Sequence, residues 1–155
     1  DKGHYTVYLP AYEDQRILNV LLRVPDVNWQ VFSKHGKCYY EFGNVRVQPV
    51  HNDAFLASIT SARGVLCAAG FETPSEALFM GKKLCVIPMK GQYEQQCNAA
   101  ALGQMGVPIL ESLHEKTLPA LWEWVDSDKR VSVNYPDVAP DIVRQVLNTH
   151  APVLV

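Results

Sequence analysis

Residues 65–99 read VLCAAGFETPSEALFMGKKLCVIPMKGQYEQQCNA, and the architecture of the chain can be predicted from this segment. Two short apolar segments, Val65–Ala68 and Leu84–Ile87, predict strands that are covered on both faces, because neither alternates with polar residues. The segment Thr73–Met80 between them predicts a helix, and a second helix is predicted to end near Gly106. The order strand, helix, strand, helix predicts neighbouring parallel strands with helices packed on the sheet.

The rest of the chain continues this alternation on both sides. The further predicted strands are Tyr5–Leu9, Asn28–Phe32, Asn44–Pro49 and Val107–Leu110. The further predicted helices run from Glu13 to Val24, from Asn52 or Asp53 through Ile59, from Leu118 to Val125 and from Pro140 to Asn148. The polar stretch 33–43 predicts a loop. The pattern predicts one α/β domain over residues 1–155, a Rossmann-like, doubly wound parallel sheet of about six strands with helices on both faces.

Composition excludes several classes of protein. Apolar residues make up 48% of the 155 residues, which excludes intrinsic disorder as the global state. The net charge is −2 and no basic run occurs, so a nucleic-acid-binding protein is not expected. No apolar stretch approaches the roughly 18 residues of a transmembrane helix. The chain begins at Asp1 rather than Met and enters a predicted strand almost at once, so we expect a piece of a longer protein.

The four cysteines predict a reduced, cytoplasmic protein. They stand at positions 38, 67, 85 and 97, and no pair has the spacing of a zinc or thioredoxin-type motif. Cys67 and Cys85 lie inside apolar segments, where a buried free thiol is the simplest interpretation. Disulfide bonds remain the alternative interpretation.

The first polar cluster follows the apolar strand that ends near Gly70. The chain then enters a helix at Thr73 or Pro74, and the free backbone N–H groups and dipole of a helix start favour an anion such as phosphate. A glycine at the strand end lets a ligand approach the backbone closely. The alternative is structural: Thr73 and Glu76 have the spacing of a capping box, with Pro74 at the first helical position.

The second polar cluster opens the following helix. Gln92, Glu94 and Gln95 offer carboxamide and carboxylate groups that can bind hydroxyl groups, and a sugar is a hydroxyl-rich ligand. The alternative is that they are good helix formers on a solvated face. Both clusters follow neighbouring predicted strands, so we expect them to face one crevice.

Together the two clusters resemble the donor-binding half of GT-B glycosyltransferases. The resemblance rests on Gly70, then Glu76 six residues later, Gly81, Pro88, and the segment 94–99 with the sequence EQQCNA. It is a resemblance to the C-terminal domain of the UDP-glycosyltransferase superfamily, and most of all to bacterial Glyco_trans_1_3-like proteins. The tight motif covers about a third of the chain, whereas the order of strands and helices fits over nearly all of it.

The resemblance implies the following roles. The residues implied to hold the donor diphosphate are Gly70, Phe71, Glu72 and Thr73, and Glu76 is implied to bind the ribose. The residues implied to bind the donor sugar are Gln92, Glu94 and Gln95. The catalytic base is expected in an N-terminal acceptor domain outside this chain, so no catalytic residue is assigned and the chain alone is expected to be inactive. The co-substrate is a nucleoside-diphosphate sugar, with UDP the favoured nucleotide and neither metal nor cofactor required.

The implied activity is inverting transfer of a hexosyl group to an acceptor hydroxyl. Two alternatives stay open: a GT-B epimerase that acts on a nucleotide sugar, and a non-catalytic domain that binds one. The expected partners are the donor and the chain's own N-terminal domain, with peripheral membrane association left open. The first loop departs from the family, since Glu13 and Asp14 lie where a phosphate would be expected.

Other residue types give weaker signals. The five histidines are scattered, and no two share a metal-ligand spacing. His51 follows a predicted strand end and would face the crevice or the surface.

Trp122 and Trp124 point in different directions on one helix. We expect Trp122 in the core and Trp124 at an interface with the N-terminal domain.

Overall fold

The computed structural model describes residues 3–151, and its elements follow the predicted alternation. The strands are β1 (His4–Tyr8), β2 (Asn28–Ser33), β3 (Tyr40–Phe42), β4 (Val45–Pro49), β5 (Gly64–Ala68) and β6 (Lys83–Ile87). The helices are α1 (Asp14–Leu21), α2 (Asn52–Ser61), α3 (Glu72–Phe79), α4 (Tyr93–Gln104), α5 (Leu118–Asp126) and α6 (Ala139–His150). A 3₁₀ turn at Glu115–Thr117 leads into α5.

The six strands form one sheet in the order β3-β4-β2-β1-β5-β6. All neighbours are parallel except β3, which runs antiparallel to β4 at one edge. The strand order therefore reverses direction between β1 and β5, which is the point where open α/β sheets form a ligand crevice. The predicted doubly wound sheet is confirmed.

Helices cover both faces of the sheet because alternate side chains of the central strands point to opposite sides. Leu66 and Cys85 belong to a core shared with α1 and α5, whereas Cys67 and Val86 belong to a second core shared with α2, α3 and α4. Each of these four side chains is 0% exposed. The continuous apolar runs at β5 and β6 are thus explained by burial on both faces.

Two predicted boundaries differ from the structure. The stretch 33–43 contains the short edge strand β3, which was predicted as loop. Val107–Leu110 was predicted as a strand but makes only a single bridge, Val86 with Ile109. Pro108 has no backbone N–H to donate, so the ladder does not extend past this bridge.

The prediction that Trp124 lies at an interface is wrong. Trp124 is 3% exposed and packs edge-on against the Tyr5 ring, with ring centroids 5.0 Å apart. Trp122 packs against the same core, as predicted, but is only partly buried. Helix α5 carries apolar residues on most of its faces, so the helical period alone does not show which tryptophan enters the core.

A lysine is buried at the opposite end of the sheet from the candidate site. Lys83 is 0% exposed, and its Nζ donates to the backbone oxygen of Val125 at 2.8 Å and to the Tyr5 hydroxyl at 3.2 Å. The ammonium also lies 5.5 Å from the centre of the Tyr5 ring and 5.8 Å from that of Trp124. Burial lowers the Lys83 pKa, and the nearby Arg63 charge lowers it further.

Helix α6 confirms the last predicted helix, and its side chains are exposed all round. Its apolar side carries Ile142, Val143, Val146 and Leu147, each more than half exposed. No helix within residues 3–151 combines the length and the apolar character that crossing a membrane requires.

Candidate functional site

The structure brings the two predicted polar clusters to the same edge of the sheet. Strands β5 and β6 pair in register as far as Ala68 opposite Ile87, so the chain leaves both strands side by side. Asn98 of α4 then donates from Nδ2 to the backbone oxygen of Ala69 at 3.1 Å. This bond ties the middle of α4 to the residue that follows β5, immediately before Gly70.

Helix α3 begins earlier than predicted, and its first turn has no side-chain cap. The helix starts at Glu72, and its N-cap residue is Phe71 with helical backbone angles. Thr73 and Pro74 therefore already lie inside the first turn, so the predicted capping box between Thr73 and Glu76 does not form. The unpaired backbone N–H groups of the first turn remain available for an external acceptor.

Gly70 faces open space beside this helix start. A Cβ atom built on Gly70 would meet no other atom within 4 Å. Neither packing nor a left-handed backbone therefore requires glycine here, since Gly70 is not among the residues with positive φ. The space in front of Gly70 lets a ligand reach the backbone of α3's first turn.

The Glu76 carboxylate is exposed and unengaged. Within residues 3–151 it takes part in no hydrogen bond or ion pair, so it does not cap its own helix. It follows Glu72 by one helical turn, which places both on the same side of α3. A free carboxylate in this position is a pure acceptor suited to a pair of hydroxyl groups.

The three residues predicted to bind a sugar have different environments. Gln92 is the N-cap residue of α4 and is exposed, and Glu94 is exposed in the first turn. Gln95 is 8% exposed, and its Oε1 accepts the backbone N–H of Met89 at 3.0 Å. Gln95 thus positions the loop that follows β6, while Gln92 and Glu94 are open to solvent.

A hydrogen-bonded network that the sequence analysis missed lies at the ends of β1 and β2. The Ser33 hydroxyl donates to Asp14 at 2.5 Å and accepts the backbone N–H groups of His35 and Gly36 at 3.0 and 2.7 Å. Tyr40 also donates to Asp14, at 3.2 Å. Burial raises the pKa of Tyr40, and the neighbouring Asp14 charge raises it further.

This network explains the acidic first loop. Both carboxylate oxygens of Asp14 accept a hydroxyl, so the carboxylate holds the loop after β2 and is not directed at a ligand. His35 extends the network, since its Nε2 donates to the backbone oxygen of Pro10 at 3.0 Å. A serine followed by glycine three residues later is a turn signal that would have indicated this loop geometry.

Residues 3–151 contain no group of three or more His, Cys, Asp or Glu side chains arranged to hold a metal ion. His51 lies at the N-cap of α2 and is exposed. All four cysteines are free, as the sequence analysis expected.

The family profile of glycosyl transferase family 1 matches residues 1–123. The chain belongs to this family. The profile spans β1 through most of α5 and so contains both polar clusters and the switch between β1 and β5. No curated protein sequence gives a significant match to this glycosyltransferase-family chain.

Solved glycosyltransferases share the fold of this family member. The glycotransferase of kitacinnamycin matches with a TM-score of 0.62 and 17% identity, over 82% of this chain and 36% of that one. SnogD from Streptomyces nogalater matches with a TM-score of 0.55 and 18% identity, over 81% and 38%. SsfS6 from Streptomyces sp. SF2575 matches with a TM-score of 0.58 and 16% identity, over 82% and 33%.

These identities are low, so the likeness establishes the fold alone. It agrees with the predicted Rossmann-like domain of a GT-B glycosyltransferase. The chain spans only about a third of the length of these enzymes.

Proposed function

We propose that this chain is the donor-binding domain of a glycosyltransferase that transfers a hexosyl group from a nucleoside-diphosphate sugar to an acceptor hydroxyl. One observation carries the proposal: the uncapped start of α3 lies beside the open Gly70, at the sheet edge where strand order reverses. Such a helix start binds an anion through backbone N–H groups and its dipole.

Each predicted side chain receives a role in this scheme. The segment Gly70–Thr73 holds the diphosphate, and its N–H groups stabilise the negative charge that develops as the diphosphate leaves. The Glu76 carboxylate accepts the ribose hydroxyls, and Gln92 and Glu94 bind hydroxyls of the donor sugar. Gln95 acts through the loop that it positions, and its amide nitrogen is the group left for a sugar hydroxyl.

The scheme also requires groups that this chain does not supply. We propose inverting transfer without a metal ion, in which amide dipoles stabilise the leaving group and the base comes from an N-terminal acceptor domain. The favoured nucleotide is UDP and the favoured compartment is the cytoplasm, where buried free thiols stay reduced. The chain alone is expected to bind donor without turning it over.

Binding of a nucleotide is the direct test. Melting of the chain is measured against UDP, GDP, TDP, CDP and their sugars. A ligand at 100 times its dissociation constant adds about 2.7 kcal/mol of stability. For a domain of this size that raises the melting temperature by roughly 5–10 °C. We expect this rise in melting temperature with UDP and UDP-sugars. If none of the nucleotides or their sugars raised the melting temperature, donor binding by this chain would be contradicted.

Replacing Glu76 separates a ribose contact from a structural role. Because the carboxylate has no partner among the described residues, Glu76→Gln is expected to leave the melting temperature without ligand unchanged. It should weaken UDP binding about tenfold or more, since a hydrogen bond to a charged group contributes about 1.5–3 kcal/mol. Isothermal titration calorimetry measures the change.

Two controls belong to this experiment. Glu123→Gln, at an exposed position on α5, should leave UDP affinity unchanged. A UDP analogue that lacks both ribose hydroxyls should bind wild type and Glu76→Gln equally. Equal loss of affinity for UDP and for this analogue would contradict the ribose assignment.

A further inference from the structure

A second cavity lies at the outer edge of the sheet, away from the candidate donor site. Its volume is about 600 Å³, which is within the range of small-molecule sites. Its walls come from Leu84 of β6, from the segment 105–110, from helix α5 and from the segment 127–132. None of the described residues proposed to bind the donor contributes to these walls. An inference about this cavity therefore does not rest on the proposed glycosyl transfer.

One wall of this cavity is an unpaired part of the sheet edge. Val86 of the edge strand β6 donates its N–H to the Pro108 oxygen at 3.1 Å, and its own oxygen accepts the Leu110 N–H at 2.9 Å. Leu84 directs its N–H and C=O to the same side as Val86, because alternate residues of a strand do so. No group within residues 3–151 bonds to the Leu84 backbone on that side, although Leu84 is only 4% exposed. A buried N–H of this kind needs an acceptor.

Trp124 supplies a second hydrogen-bond donor without a partner. It belongs to the cavity wall and is 3% exposed, and its Nε1 is buried without a hydrogen bond to any described residue. An indole N–H can only donate. Both the strand edge and the tryptophan therefore favour a ligand that carries a hydrogen-bond acceptor.

Two cationic side chains lie on the same wall. Lys129 and Arg130 are exposed, and neither forms an ion pair in the part of the chain that the structure describes. Arg130 instead donates from Nη1 to the backbone oxygen of Gly81 at 3.3 Å. Burial lowers the pKa of Lys82, and the nearby Arg130 charge lowers it further. Like charges are thus close together here, and an anion would reduce their repulsion.

The acidic side chains near this wall do not balance these cations. Asp128 precedes Lys129 in the chain, but it pairs with Arg63 at 3.2 Å and does not line the cavity. Glu123 of α5 is the one acidic residue among the described residues that line it, and it is exposed. The lining therefore carries two positive charges and one negative charge.

We propose that this cavity binds a small organic anion, whose carboxylate is held by Lys129 and Arg130 and whose apolar body lies against the rest of the wall. A carboxylate only accepts hydrogen bonds, and it suits guanidinium, ammonium and indole N–H donors. Ser127 and Ser132 add hydroxyl groups to the lining. The body of the ligand would contact the apolar lining residues, which include Met105, Pro108, Ile109, Leu110 and Ala120.

The test compares 4-phenylbutyrate with 4-phenylbutyramide, which has the same body without the charge. Both are titrated into the ¹⁵N-labelled chain, and the indole N–H signals are followed by NMR. The acid should bind about tenfold more tightly, since charge-assisted hydrogen bonds are roughly twice as strong as neutral ones. It should move the Trp124 indole signal. Trp29 is the matched control, because its Nε1 is also buried without a partner among the described residues and Trp29 does not line this cavity.

Three variants locate the bound charge. Arg130→Gln should lower the affinity for the acid about tenfold and leave that for the amide unchanged. Glu123→Gln should raise the affinity for the acid, because it removes a negative charge from the wall. Lys90→Gln is the matched control, since Lys90 is exposed in the loop after β6 and lies outside the cavity. It should change neither affinity.

Several results would overturn the proposal. One is the absence of saturable binding of the acid at millimolar concentrations, and another is equal affinity for the acid and the amide. An equal loss of affinity in Arg130→Gln and Lys90→Gln would show unspecific attraction by positive charge. If the acid bound but moved the Trp29 indole signal and not that of Trp124, the ligand would lie outside this cavity.

Discussion

Raising the pH from 8 to 10.5 should destabilise this chain by about 4 kcal/mol more than a variant with alanine at both Cys67 and Cys85. Both thiols are 0% exposed, and burial raises the Cys85 pKa to about 12. Burial, and then the nearby Cys85, raises the Cys67 pKa still further. In the unfolded chain the thiols ionise near their ordinary pKa of 9.0.

The sign follows from proton binding. Between pH 9 and 10.5 the folded chain keeps both protons while the unfolded chain loses them, so the free energy of unfolding falls as pH rises. Each thiol contributes about 2 kcal/mol of loss at pH 10.5, at 1.36 kcal/mol for each pH unit. Below about pH 8 both states are almost fully protonated, and the thiols make no pH-dependent contribution.

The measurement is urea unfolding at both pH values in the presence of a reductant. The change in the free energy of unfolding between the two pH values is determined for each protein, and these changes are compared. Single alanine variants at Cys67 and Cys85 should each remove about half of the effect. Lys83 acts in the opposite direction: its lowered pKa makes stability rise with pH up to its unfolded value, equally in all four proteins. Identical pH changes in wild type and double variant would contradict the prediction.

Gly64→Ala should destabilise the chain by about 3 kcal/mol, because there is no room for a methyl group at this position of the sheet. A Cβ atom on Gly64 would lie 2.7 and 2.8 Å from two Tyr5 ring carbons and 3.1 Å from the Lys83 Cβ. Tyr5 cannot turn aside, since its ring packs against Trp29 and Trp124.

Gly70→Ala is the matched control, six residues further along the chain. Its Cβ would meet nothing within 4 Å, so the free energy of unfolding should stay within about 1 kcal/mol of wild type. Urea unfolding of both variants measures the difference. The same Gly70→Ala protein should bind UDP more weakly if the diphosphate lies against this glycine. Equal destabilisation by the two substitutions would contradict the packing argument.

Features within short segments of the sequence were enough to predict the two central strands and the end of α3. The apolar runs at 65–68 and 84–87 predict strands buried on both faces, and β5 and β6 have that burial. Gly81 has a φ of +63°, as the predicted C-terminal glycine of α3 requires. The edge strand β3 was missed because its three residues form a strand only through their pairing with β4.

Part of the candidate site could also be predicted from the sequence and part could not. Motif spacing predicted Gly70, Glu76 and Asn98 at the same end of the sheet, because parallel strands end together and the helices follow at short intervals. Spacing did not separate Gln95 from Glu94, whose side chains point in different directions on α4: one is buried under the loop after β6 and the other is exposed. That difference depends on what packs against each face of the helix.

Residue type and spacing were sufficient to predict the alternation of strands and helices, the family and the positions of the polar clusters. Which residues of these clusters are free to bind a ligand became clear only from the folded chain. Asp14 is occupied by Ser33 and Tyr40, whereas Glu76 is unengaged among the described residues. The physical reason is that a polar group binds a ligand only if no neighbour distant in sequence already satisfies it, and folding alone brings those neighbours together.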